Sequence, residues 1–242
     1  MQERFGVTRS KAQGLIRTGN ILDAAGEPLS KPGERLPSDV PLTLKEAMPF
    51  VSRGGEKLQA AFDAWQLDVE GAVALDAGAS TGGFTDCLLQ HGAQKVFAVD
   101  VGYGQLDWSL REDPRVVVME RFNVRHLLPE HVDEAPSVFT ADCSFISLRT
   151  ILPALAGVLA PGGWGVALIK PQFEAGRAQV GKGGVVRDEA VRQQVVDNVC
   201  EAARSLGFGE IDVIPSPLLG PAGNREYLAW LHGFTPAPSA SA

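Results

Sequence analysis

No hydrophobic run in this chain approaches the ~18 apolar residues that a membrane span requires, and the amino end has no apolar core of a signal peptide. The expected location is therefore cytoplasmic, with no membrane partner. Cysteine is scarce. The three present, Cys87, Cys143 and Cys200, stand too far apart for a paired zinc spacing or a disulfide framework. None of the four histidines (His91, His126, His131, His232) has ligand spacing either, so no metal is expected. Positive charge is also short: 22 Lys and Arg against 29 Asp and Glu leave a net charge of −7. A chain of that balance does not advertise nucleic-acid binding as a whole. The deficit is uneven, however. Residues 1–59 carry +2 and the remainder −9, so any RNA contact must come from local basic patches, first of all in the amino-terminal segment.

What is present is an ordinary soluble composition, 45% apolar and 21% charged over 242 residues, with room for one sizeable α/β core and an appendage. The run Asp76-Ala-Gly-Ala-Ser-Thr-Gly-Gly-Phe-Thr-Asp86 sits between an apolar strand-like stretch, Ala72–Leu75, and a helix-like one closing at His91 and Gly92. Strand, glycine-rich turn and helix let a nucleoside cofactor approach the backbone closely. The glycines Gly78, Gly82 and Gly83 do not fit the dinucleotide fingerprint. An acidic residue opening the loop, Asp76, suits a cation better than a pyrophosphate. This loop favours S-adenosylmethionine, which carries a sulfonium and an ammonium, over a nicotinamide cofactor; a ligand-free strand-to-helix turn is the bland alternative. The expected cofactor contacts are Asp76, Gly78, Ser80, Thr81, Gly82, Gly83, Phe84 and Asp142, with Asp100 at the end of the next strand accepting from both ribose hydroxyls. Asn123 is expected either near the adenine or as a helix cap.

Residues 1–43 differ in character. Thr8–Arg17 places Ala12, Leu15 and Ile16 at helical spacing and leaves Arg9, Lys11 and Arg17 apart from them. A turn and the short strand Ile21–Leu22 follow, then a loop holding Lys31. This order resembles the small RNA-binding domain first known from ribosomal protein S-four, although only the end of its usual first helix is expected here, so the domain reads as trimmed or as starting upstream. A solvated helical face is the alternative. Residues 44–50 read as a linker, 51–234 as an α/β domain, and 235–242 as a disordered tail. Expected strands are 73–76, 95–99, 116–119, 137–141, 164–169, 211–214 and 226–231. Expected helices are 57–65, 83–90, 148–159 and 188–206. The fold class is a doubly wound, seven-stranded Rossmann-like sheet. Its last strand should be antiparallel, because 215–224 is too short for a crossover helix.

In such sheets ligands bind beyond the carboxyl ends of the strands. Asp142 and Lys170 end the fourth and fifth strands; Lys57 lies in the first helix and Glu226 opens the last, antiparallel strand. All four should meet at one edge, although Asp142 and Lys170 taken alone could be a structural ion pair. The runs Ser52-Arg-Gly-Gly-Glu-Lys57, Asp76–Phe84, Val99–Gln105, Ala141-Asp-Cys-Ser-Phe145, Lys170-Pro-Gln-Phe-Glu174 and Gly183–Asp188 together resemble the FtsJ-like ribose 2′-O-methyltransferases, most closely the hemolysin A (TlyA) group. The resemblance implies a catalytic tetrad of Lys57, Asp142, Lys170 and Glu226 and a cytidine 2′-hydroxyl in ribosomal RNA as substrate; the acidic balance of the catalytic part favours RNA within a ribosomal subunit. Lys170 is the candidate base; the Lys57 ammonium and the sulfonium favour its neutral form, and Asp142 opposes them. Gly176–Gly183 nearly spells a phosphate-binding P-loop, but Gly183 replaces the required hydroxyl. A substrate-side loop is the better account, with Arg177, Lys182 and Arg187, and also Arg53, available to RNA phosphate. A non-catalytic ribosome assembly factor is the rival reading. A membrane-lysing toxin has no amphipathic basic stretch or apolar hairpin in its favour.

Overall fold

The computed structural model describes residues 9, 12, 13, 16, 19, 21–29, 31–33, 36, 37, 39–44 and 49–236. The chain forms two compact units, Met1–Pro49 and Phe50–Ala242. In the first, Arg9, Ala12, Gln13 and Ile16 are helical, with Ala12 buried and Arg9 exposed. Strand β1 (Ile21–Leu22) pairs antiparallel with β2 (Thr43–Leu44). Leu44, placed by sequence at the start of the linker, thus lies opposite Ile21 in a ladder. Lys11, Arg17, residues 45–48 and residues 237–242 lie outside the described residues.

The second unit holds seven strands: β3 (Val73–Ala77), β4 (Lys95–Val99), β5 (Val116–Met119), β6 (Val138–Ala141), β7 (Trp164–Ile169), β8 (Phe208–Pro215) and β9 (Tyr227–Phe234). Their order across the sheet is β5-β4-β3-β6-β7-β9-β8. Strands β3 to β7 run parallel to one another, and β9 runs antiparallel to both β7 and β8. Strand β3 is buried along its whole length, as a central parallel strand covered on both faces must be. Val73, Leu75 and Ala77 pack on one face with Ile151, Leu152 and Leu155 of the helix Leu148–Val158 and Val195 and Val199 of the helix Glu189–Ser205. Ala74 faces the other way, toward Leu58 and Phe62 of the helix Gly54–Trp65 and Cys87 and Leu88 of the helix Gly83–Gln90. Alternate residues of each strand therefore feed two separate cores.

Strand β8 extends beyond the expected 211–214 because its ladder with β9 continues to Phe208 opposite Phe234. Strand β3 has β4 on one side and β6 on the other. The connections leave it in opposite directions there, which opens a crevice at the carboxyl ends of β3 and β6. The reversed β9 begins at that same edge.

Candidate active site

The loop after β3 turns through Gly78 (φ 84°), Ser80 (φ 50°) and Gly82 (φ 97°) before the helix Gly83–Gln90 begins. A Cβ on Gly78 would stand 2.9 Å from the Asp142 carbonyl oxygen, so this glycine lets the loop lie on the backbone at the end of β6. Gly83 is equally confined: a Cβ there would meet Ser52 Oγ at 2.4 Å and the Gly55 nitrogen at 2.8 Å. The starts of two helices interlock at this point, which explains why the Ser52–Lys57 run and the Asp76–Phe84 run each carry paired glycines.

Asp100, at the end of β4, accepts from the Ser80 amide (2.9 Å) and the Gly102 amide (2.6 Å). A carboxylate has about four acceptor positions, so two backbone bonds leave capacity for a diol. Asn123 accepts from the Arg125 amide at 3.2 Å and caps a short 3₁₀ turn. Asp100, Asn123, Gly78, Ser80, Cys143 and Phe145 all line one cavity of about 680 Å³, within the range of small-molecule sites.

Asp76 does not line it. Its side chain is wholly buried and accepts from Thr85 Oγ1 (2.7 Å) and Thr140 Oγ1 (2.9 Å), tying the helix after the loop to β6. Burial pushes its pKa up to about 6 against the pull of those two hydroxyls, and the charge on Asp142 adds to the rise. Gly82 is also absent from the walls of both cavities and serves the turn into the helix.

A second cavity, of about 310 Å³, is walled by Ser52, Arg53, Lys57, Thr81, Gly83, Phe84 and Lys170 among others. It shares Gly78, Ser80, Asp142 and Ser144 with the first, so the two adjoin. Two ion pairs converge on it. Lys170 Nζ is 2.6 Å from Asp142 Oδ1, and Lys57 Nζ is 2.7 Å from Glu226 Oε2. Glu226 itself is 1% exposed at its side chain and stands behind Lys57, off the cavity wall.

Several residues around this centre were not singled out from sequence. Lys170 Nζ also donates to Ser144 Oγ at 2.9 Å. Glu174, at the end of the short helix Pro171–Glu174, accepts from the Leu148 amide (2.5 Å) and from Ser147 Oγ (2.6 Å), capping the helix Leu148–Val158. Asn224, buried, accepts from the Val186 amide (3.0 Å) and donates to the Gly184 carbonyl (2.8 Å). Phe145 adopts φ 64°, is 91% exposed, and lies with its ring centroid 5.0 Å from that of Phe173. The only sequence signal for these was position: a hydroxyl two residues beyond a strand-end carboxylate, and a glutamate four residues beyond a strand-end lysine.

The segment from Gly176 to Asp188 is no P-loop. It holds a 3₁₀ turn at Arg177–Gln179 and an antiparallel bridge between Gly181 and Val185. Arg192 donates to the Val186 and Arg187 carbonyls and Asn224 holds the bridge, while Arg177, Lys182 and Arg187 project as exposed residues. Arg53 is exposed at the smaller cavity, and Arg9 and Lys31 are exposed in the first unit. Among the described residues no cluster of His, Cys, Asp and Glu could hold a metal ion, and no helix is long and apolar enough to cross a membrane.

Residues 50–232 match the family model of the FtsJ-like methyltransferases. The 16S/23S rRNA (cytidine-2′-O)-methyltransferase TlyA of Mycobacterium tuberculosis is 48% identical over 237 residues, which is 96% of this chain and 88% of the relative. Hemolysin A of Brachyspira hyodysenteriae is 43% identical over 228 residues, 94% of this chain and 95% of the relative. A solved structure from Streptococcus thermophilus, provisionally named a hemolysin, superimposes with a TM-score of 0.75 at 44% identity, covering 96% of this chain and 86% of that one.

Proposed function

Since the chain belongs to the FtsJ-like methyltransferase family, we propose that it methylates the ribose 2′-hydroxyl of a cytidine in ribosomal RNA, using S-adenosylmethionine. The observation that carries this reading is the convergence of the two Lys–carboxylate pairs on a cavity that adjoins a larger, carboxylate-lined one. The larger cavity suits the nucleoside half of the cofactor. Asp100 offers acceptor capacity to the ribose hydroxyls and Asn123 an amide to the base, while Gly78 lets the loop lie against the end of β6 and shape the cavity wall. Asp100 and Asp142, both in its wall, match a cationic ligand. When bound, S-adenosylmethionine supplies an electrophilic methyl group.

The chain's own residues do the rest. Methyl transfer is an in-line displacement that needs positioning and removal of one proton. Lys170 takes the proton of the 2′-hydroxyl on Nζ, and Asp142 holds the amine in place. Lys57, anchored by Glu226, puts positive charge beside an oxygen that gains negative character. The exposed Phe145 ring, beside the half-buried Phe173 ring, forms a face on which an unstacked base can rest, as single-stranded RNA requires. Arg53, Arg177, Lys182 and Arg187 are placed to meet phosphate. Residues 1–43 are proposed as an S-four-type RNA-binding domain carrying Arg9, Lys11, Arg17 and Lys31, and a folded ribosomal subunit as the substrate.

Transfer of labelled methyl from S-adenosylmethionine to unmodified ribosomal subunits, followed by nucleoside analysis, tests the reading. Label is expected in 2′-O-methylcytidine and lost with Lys170→Ala. Label on a base, or ribosome association without any transfer, overturns it in favour of a different enzyme or a binding factor.

A further inference from the structure

A neutral amine has two N–H donors and one lone pair; an ammonium has three donors and none. Lys170 Nζ donates one directed hydrogen bond, to Ser144 Oγ at 2.9 Å. Asp142 Oδ1 lies 2.6 Å away as an ion-pair partner without hydrogen-bond geometry, and the contact to the Asp142 carbonyl is 3.5 Å long and weak. Ser144 therefore fixes one N–H of the neutral amine, and the carboxylate oxygen disfavours a lone pair aimed at itself. With those two positions taken, tetrahedral geometry leaves the lone pair one direction. With Asp142 alone the amino group could still rotate about its Cε–Nζ bond, and the lone pair would sweep a cone.

Ser144 is well placed for this. It follows the strand end by three residues and lies in the wall of both cavities, where cofactor and acceptor hydroxyl must meet. The next residue, Phe145, has a positive φ that a bulky side chain rarely adopts, and Glu174 pins the start of the following helix through Ser147 and Leu148. The backbone that follows Ser144 is thus constrained, and its hydroxyl has no other hydrogen-bond partner among the described residues.

We propose that Ser144 is a positioning residue that aims the Lys170 lone pair at the substrate hydroxyl. This rests on the assignment of Lys170 as the base. Ser144→Ala is expected to lower kcat by about 10-fold or more, a part of what a positioned general base contributes. KM for RNA and affinity for S-adenosylmethionine should stay within about 2-fold, since the hydroxyl acts on the proton and not on binding. Ser144→Thr, which keeps the hydroxyl, should recover most of the loss. An unchanged kcat, or a loss confined to cofactor or RNA affinity, overturns the proposal. A second readout does not depend on turnover. With ¹⁵N-labelled lysine, nitrogen relaxation of Lys170 Nζ should show restricted rotation about Cε–Nζ in the parent protein and freer rotation in Ser144→Ala; no change between the two overturns the proposal even if no RNA is methylated. Turnover that survives Lys170→Ala would instead defeat the assignment of the base.

Discussion

A carboxylic acid sealed behind a ligand loop makes folding sensitive to pH. Asp76 titrates near 6 in the folded chain and near 3.8 when exposed, so the folded state holds the proton more tightly. Stability from this group is complete below the unfolded value and is lost as pH rises through the folded one. Asp76→Asn should remove that dependence. Relative to the variant, the parent should lose up to about 3 kcal/mol between pH 4 and 7, read from Tm at several pH values; parallel curves would refute it. The two lysines differ for a similar reason. Lys57→Ala strands a Glu226 carboxylate whose side chain is 1% exposed, whereas Lys170→Ala leaves Asp142, 20% exposed, partly open to water. Denaturant unfolding should therefore show Lys57→Ala costing about 3 kcal/mol and Lys170→Ala clearly less. Sequence reading could bring Lys57, Asp142, Lys170 and Glu226 to one edge because strand ends gather there whatever the details of packing. It read Asp76 as a ligand carboxylate, because nothing local announced that Thr85 and Thr140 would enclose it. Ser144, Glu174 and Asn224 escaped for the same cause: their partners lie 26 to 40 residues away in the chain.

Elements were easier to read than contacts between them. Apolar runs bounded by glycine and proline mark β4, β5 and β7 to the residue, but the length of β8 depended on its ladder with β9, and the helix Gly54–Trp65 starts earlier than its apolar spacing suggests. Its first turn is held by contact with Gly83, which no periodicity reports. Gly83→Ala should push the two helix starts apart and cost about 2 kcal/mol, as overpacking typically does, together with a measurable loss of cofactor affinity. Removing the Ser52 hydroxyl as well should not restore it, because the Gly55 nitrogen stays 2.8 Å from the new Cβ; recovery in calorimetry of Ser52→Ala/Gly83→Ala would contradict this account. The helix Leu148–Val158 takes its amino-terminal cap from Glu174 across space as well as from Ser147 within its own sequence. Half of its start signal was therefore legible and half was not.

On the scale of the whole molecule, a net charge of −7 opposes binding to a polyanion, so affinity must rest on a few exposed cations and should fall steeply with salt. Replacing Lys182 and Arg187 together by Ala should weaken RNA binding across sequences and lower the slope of log affinity against log salt by about 2; an unchanged slope would place the phosphate contacts elsewhere. The sheet adds a constraint of timing. Strand β9, the last of the seven, lies between β7 and β8, and among the described residues it alone pairs with β8. Synthesis delivers β3 to β7, the loop around Gly78 and both Asp142 and Lys170 well before it. The chain can thus lay down its parallel core early, but Lys57 has no Glu226 to anchor it until β9 is inserted. The ion pair between the two is therefore the last part of this edge to form, and its presence reports that the sheet has closed.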